Sequence, residues 1–136
     1  MIEPARKLPL LDDASGFFWT SGADGHLRIQ RCTDCGHYQH PPLPRCPQCH
    51  GEAVAPQIVS GRGRVATFTI NRQAWLPGMA PFTFAAIELA EQAQLYVFSN
   101  VLGDAAAVHS GMAVRVCFEL HDDVCLPLFR AEEAGA

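Results

Sequence analysis

The stretch "RCTDCGHYQHPPLPRCPQCH", residues 31–50, holds four of the six cysteines of the chain as two Cys-x-x-Cys pairs, Cys32/Cys35 and Cys46/Cys49. A Cys-x-x-Cys turn sets two sulfurs on one side of a tight loop. Two such turns complete a tetrahedron that suits zinc, with Zn–S about 2.3 Å. Gly36, directly after Cys35, and Gly51, two residues after Cys49, stand where these knuckles are expected to need a positive φ. The connecting "HYQHPPLPR" is stiffened by prolines and fits a ribbon better than a helix. The spacing therefore predicts a four-cysteine metal site. Four sulfurs close the coordination shell and leave no position for an activated water, so the zinc is expected to be structural. Iron suits the same tetrahedron. Thiol redox would call for a βαβ context with a helix opening at the pair, which neither pair has. His37, His40 and His50 are read as exposed or as neighbours of the sulfurs, not as ligands.

The rest of the 136-residue chain sets bounds on what this site can serve. The length allows one compact domain, or a small module followed by a second of about 70 residues. Charged residues make up 18%, below the roughly 25% usual for globular domains, which raises the chance that a partner covers apolar surface. The net charge of −4 is uneven: Arg28 to Arg72 carries six arginines against Asp34 and Glu52, so that stretch is +4 and the remainder −8. A dication on four thiolates would lower the basic stretch to about +2, weaker than the field of most nucleic-acid-binding domains. No apolar run approaches the roughly 18 residues of a membrane span, and "MIEPARKLPLLDD" lacks the pattern of a signal peptide. Cysteines paired for metal suit a reducing compartment, so the cytoplasm is the expected location.

Upstream of the ribbon, "DDASGFFWTSGADG" predicts a short helix ended by Gly25, within an amino-terminal segment 1–27. The ribbon itself is expected over 28–56. From 57 to 131 the pattern turns to alternation: strands at Ile58–Ser60, Arg64–Asn71, 82–90, 94–102 and 112–120, and a last short one at Leu126–Phe129. In the fifth of these Val114, Val116 and Phe118 point one way, and Arg115, Cys117 and Glu119 the other. About five short strands closed by glycine turns suit a small antiparallel barrel, of the OB or the SH3-like kind. Residues 132–136 read as a disordered tail. Cys117 and Cys125 lie in apolar surroundings and read as core thiols. No nucleophile elbow, phosphate loop or triad is present. Glu88 and Glu91, and Asp122 and Asp123, read as strand-end carboxylates.

Two apolar groups stand out as candidate partner contacts. Phe17, Phe18 and Trp19 are too crowded for all three to face one small core, and either plug the junction of ribbon and barrel or anchor a partner. In "QAWLPGMAPF", Trp75, Leu76, Met79 and Phe82 flank Pro77-Gly78, and either cap the barrel mouth or meet another subunit.

The order of these features resembles the DUF35 family. The residues that carry the resemblance are Cys32, Cys35, Gly36, Pro41, Pro42, Cys46, Pro47 and Cys49, then Ser60-Gly61-Arg62-Gly63 and Phe68. After them come Pro81-Phe82, Gly111-Met112, Val114, Val116, Phe118 and Pro127-Leu128-Phe129-Arg130. The resemblance implies a rubredoxin-like zinc ribbon followed by a five-stranded OB-fold barrel, a mainly β chain. It further implies a non-catalytic accessory subunit of a hetero-oligomer. The partner would be a thiolase-like enzyme (thiolase, aldolase or ketoacyl synthase type) acting on acyl-CoA thioesters, or else a MaoC-type hydratase. Help in holding coenzyme A is part of that implication, with Arg62, Arg64 and Arg72 as candidates for its phosphates. A tight turn is the plainer reading of "SGRG". A single-stranded nucleic-acid binder and an iron electron carrier are the competing classes. The acidic balance and the single lysine count against the first, and visible colour decides the second.

Overall fold

The computed structural model describes residues 16–72 and 81–132, with Pro9 and Leu11. Helix α1, Gly16–Thr20, is a single turn that runs into a 3₁₀ turn, Ser21–Asp24. Gly25 ends it at φ 85°, its N–H donating to Gly22 O at 2.8 Å. This is the stop expected from the sequence. Asp24 accepts from the His26 N–H and pairs with Arg28 at 2.7 Å, and that guanidinium holds the Asp24 carboxyl down to about 2.

The ribbon sheet has the order β2-β1-β3, from β1 Leu27–Cys32, β2 Tyr38–Gln39 and β3 Val54–Val59, all antiparallel. Its registers run from Leu27↔Val59 to Cys32↔Val54. The strand expected at 58–60 is thus the tail of β3 and completes the ribbon instead of opening the barrel. Leu27 and Ile29 point inward from β1 and are fully buried.

The barrel closes in the order β4-β5-β6-β8-β7, from β4 Arg62–Asn71, β5 Phe82–Leu89, β6 Tyr96–Val101, β7 Ala113–His121 and β8 Val124–Ala131. Alternation decides which side chains fill it: Thr83, Ala85, Ile87 and Leu89 of β5 and Val97, Ser99 and Val101 of β6 face in. The ladder is antiparallel except between β6 and β8, whose one bridge, Val101↔Phe129, is parallel. Leu102 N–H extends it to Phe129 O at 2.7 Å, and Ser99 Oγ donates to Pro127 O at 2.7 Å. Pro127 has no N–H to offer β6, so the ladder stops there. Between ribbon and barrel, Gly61 takes φ 78° and its N-terminal neighbour caps the turn, Arg62 N–H donating to Ser60 Oγ at 3.2 Å. A Cβ on Gly61 would overlap the Val116 side chain. "SGRG" is therefore a tight turn on structural grounds.

One core runs through both halves. Leu27, Ile29, Tyr38 and Val59 of the ribbon pack with Phe18 and with Val65, Ile87 and Phe129 of the barrel. Trp19 bridges to a smaller cluster of Val124, Leu126 and Leu128 on β8. Phe17, Phe18 and Trp19 thus pack inside the chain, with Phe18 buried and the other two half-buried. Gln92, in the β5–β6 turn, ties the halves by polar bonds. Its Oε1 accepts from Tyr38 N–H and its Nε2 donates to Tyr38 O, both at 2.9 Å, as a neighbouring strand residue would. Glu132, expected to start a disordered tail, donates its N–H to Ala113 O at 2.9 Å and accepts from Arg115. Among the described residues no helix is long and apolar enough to cross a membrane.

Candidate metal centre

Cys32 ends β1, Cys35 follows three residues on, and Cys46 and Cys49 sit in the long connection from β2 to β3. The two knuckles share one backbone pattern. Gly36 N–H donates to Cys32 O and His50 N–H to Cys46 O, both at 2.8 Å. Cys32 N–H then donates to His37 O and Cys46 N–H to Gly51 O, both at 2.9 Å. Each knuckle needs a left-handed residue directly after its second cysteine. Gly36 fills that position at φ 82°, and His50 fills the other at φ 63°. The expectation that Gly51 would take the positive φ is therefore corrected to His50. Gly51 is tight for a different reason, since a Cβ there would come to 3.3 Å from Asp34 Oδ2 and 3.4 Å from Cys49 Sγ.

The four Sγ atoms lie within 4.8 Å of one another, with Cys32–Cys49 at 3.6 Å and Cys35–Cys46 at 3.5 Å. A tetrahedron with metal–sulfur bonds of about 2.3 Å has edges of about 3.8 Å. The residues present fit zinc. Main-chain N–H groups of Cys49 and Gln48 hold the Cys46 thiol down to about 7. At Cys35 the His37 N–H pulls the same way, but protons shared with the neighbouring sulfurs and burial outweigh it and push that thiol up to about 12. Four crowded thiols cannot all ionise alone, and a dication removes the conflict. Arg31 braces the first knuckle, Nε donating to Gly36 O at 3.0 Å while its guanidinium lies 4.7 Å from the centre of the Tyr38 ring. With all four donors cysteine, the metal orders the ribbon and offers no open position.

Of the histidines, His40 is the one that packs inward. Its ring lies 4.5 Å from the Phe18 ring, its Nδ1 is buried with no partner, and desolvation drives the imidazole down to about 4. Glu88 and Glu91 hold turns, accepting from the N–H groups of Gln94 and Ser60.

The three arginines singled out from the sequence separate. Arg62 and Arg64 lie at one end of β4 and line a cleft of about 350 Å³ with Glu88, Gln92 and Glu132. Arg72 follows the other end of this ten-residue strand, roughly 30 Å along it from Arg62. The residue that joins Arg62 is Arg115, its register partner on β7, and both pair with Glu132, at 3.4 and 2.9 Å. The alternation of β7 placed Arg115 outside the barrel, but nothing in the sequence paired it with β4. Trp75, Leu76 and Met79 lie outside the described residues, and Phe82 opens β5 half-buried. Phe84 and Phe98, which no pattern in the sequence singles out, are exposed on β5 and β6 with their rings stacked, centroids 6.0 Å apart.

Two family models match in succession: the ChsH2 rubredoxin-like zinc ribbon domain over residues 19–55, and the ChsH2 C-terminal OB-fold domain over residues 57–119. The chain is 35% identical over 106 residues to the 3-oxo-4,17-pregnadiene-20-carboxyl-CoA hydratase alpha subunit of Mycobacterium tuberculosis, covering 76% of this chain and 33% of that protein. It is 32% identical over 77 residues to the benzoylsuccinyl-CoA thiolase subunit BbsA of Thauera aromatica, covering 54% of each. A solved structure described as Ltp2-ChsH2(DUF35) aldolase superposes with a TM-score of 0.81 at 27% identity, over 91% of this chain and 98% of that one. The chain thus spans a third to about half of the length of these curated relatives.

Proposed function

Since the chain belongs to the DUF35 family, the ChsH2 pairing of zinc ribbon and OB-fold, we propose that it is a zinc-stabilised accessory subunit of an enzyme acting on acyl-CoA thioesters. The single observation that carries this reading is the pair of consecutive domain matches, joined to a relative that superposes over nearly its whole length. The relatives named above are subunits of a CoA hydratase and a CoA thiolase, and part of an aldolase. The partner supplies the catalytic residues, and a thiolase-like fold is the favoured kind, with a MaoC-type hydratase as the second. The assembly is a hetero-oligomer in the cytoplasm, where the four thiols stay reduced for metal.

The decisive experiment isolates the assembly from its host and measures metal and activity together. One zinc per chain is expected, with a thiolase-like or hydratase polypeptide in fixed stoichiometry whose acyl-CoA activity falls when this chain is withheld. A partner fully active without this chain would refute the reading.

Within that assembly, the cleft beside Arg62 and Arg64 is the proposed contact for the coenzyme A phosphates. Arg62 and Arg64 line it with Glu88 and Glu132, and Arg115 pairs with Glu132 beside it, so the group carries one net positive charge; arginine forks suit phosphate oxygens. Arg62→Gln with Arg64→Gln should weaken acyl-CoA binding to the complex about tenfold or more, while a thioester of pantetheine, without the nucleotide, binds unchanged. Equal loss for both ligands would sink this assignment.

A further inference from the structure

The barrel is closed, but beyond its one bridge to β8 the outer side of β6 has no ladder partner. Leu89 N–H donates to Leu95 O at 2.9 Å, which makes 89/95 a hydrogen-bonded pair of the β5–β6 ladder. By alternation Val97, Ser99 and Val101 turn their main-chain groups to β5, and Tyr96 and Phe98 turn theirs to the other side. On that side stands β8, but its ladder to β6 is the single bridge at Val101, and Pro127 has no N–H to give the Phe98 carbonyl. Beside this edge lies an apolar cleft of about 460 Å³, walled by Phe18, Trp19, His40 and Pro41 across from Tyr96 and Phe98.

The sheet face that continues from the edge is uncharged. Positions 67–71 of β4, 82–86 of β5 and 96–100 of β6 include no acidic or basic residue, and Phe84 stacks on Phe98 there. Aromatic rings on an OB sheet face also suit single-stranded nucleic acid, but that ligand needs cations along its phosphates and this face has none.

We infer that the β6 edge and the cleft beside it receive an extended, uncharged peptide segment of the catalytic subunit, paired as an added strand to Tyr96 and Phe98. Main-chain groups that lie beyond the one β6–β8 bridge select a peptide over a small molecule, and the apolar cleft selects aliphatic or aromatic side chains at alternate positions. The inference rests on the accessory-subunit reading, under which the relatives are subunits of larger enzymes.

The test compares hydrogen exchange in the isolated chain and in the purified complex with its co-purifying catalytic subunit. The Tyr96 and Phe98 amides should exchange at least tenfold more slowly in the complex. Phe98→Pro removes only the outward N–H and leaves the β5–β6 ladder intact, because Phe98 gives nothing to β5. It should weaken assembly at least tenfold beyond Phe98→Ala, with zinc content and the protection of Val97 and Ser99 retained. A complex that forms with both amides unprotected, or with Phe98→Pro binding like Phe98→Ala, overturns the inference and leaves the accessory role standing. Protection of both amides in the isolated chain, by a second copy seen as a dimer or by its own terminal residues, also overturns it. If no catalytic subunit assembles with the chain, the functional reading falls and this inference with it.

Discussion

Replacing Gln92 with leucine should loosen the ribbon from the barrel while sparing the metal. The amide makes two bonds to Tyr38, both 2.9 Å, across 54 residues of sequence. Leucine keeps much of the volume and removes both partners. Each such bond contributes about 0.5–1.5 kcal/mol net, and a buried N–H or C=O left unmatched costs about 1–3 kcal/mol. Tyr38 is buried, whereas Gln92 is half-buried, so water reaches part of the vacated space. The expected loss is about 2–4 kcal/mol in all. With a urea dependence of about 2 kcal/mol per molar, mid-range for small proteins, the midpoint should fall by about 1–2 M. The assay is urea unfolding of the zinc-loaded protein, followed by far-ultraviolet dichroism, with zinc retention measured alongside. Hydrogen exchange should quicken in β2 and in the β5–β6 turn. A loss under about 0.5 kcal/mol, the size of an ordinary surface substitution, with the domains still moving as one, would refute the view that this amide is the polar tie between them.

Three other outcomes are expected. Because burial lowers the His40 pKa to about 4, the unfolded chain takes up a proton near pH 6.5 and the folded chain does not. Stability should therefore fall as pH drops from about 6.5 toward 4, by on the order of 1 kcal/mol between pH 7 and 5.5. His40→Phe should remove that slope, and an unchanged slope in the variant would assign it elsewhere. Cys46→Ser should abolish retention of one zinc per chain and raise exchange across β1–β3 more than across the barrel; a fully metallated variant on gel filtration and metal analysis would contradict the site. Gly61→Ala meets both a φ of 78° and the Val116 side chain. It should cost about 2–4 kcal/mol in thermal or urea unfolding, and a neutral substitution would show that the turn can relax.

The metal centre was legible because its ligands are local. Two cysteines three residues apart can meet one ion through a single turn, whatever surrounds them, so the spacing of Cys32, Cys35, Cys46 and Cys49 carries the chemistry. Even there, backbone detail escaped. Glycine is the usual bearer of a positive φ, yet at the second knuckle His50 bears it, and the hydrogen bond to Cys46 O that requires it is visible only in three dimensions. The barrel strands were legible because alternation reports one buried face. Strand order was not, since pairing is set by contacts distant in sequence: β3 reads like a barrel strand but pairs with β1, and β8 meets β6 through one parallel bridge.

What the sequence by itself determined is the barrel strands, the four-sulfur metal site and the family, all written in short periods and spacings. What only the tertiary structure decided is which distant groups meet. It parted Arg72 from Arg62 and brought Arg115 in its place, because strand register sets such neighbours. It set Gln92 on the Tyr38 backbone and joined β6 to β8 by a single bridge, beyond which Pro127 has no hydrogen to give. Those meetings depend on strand register and chain crossing, and no window of neighbouring residues encodes either one.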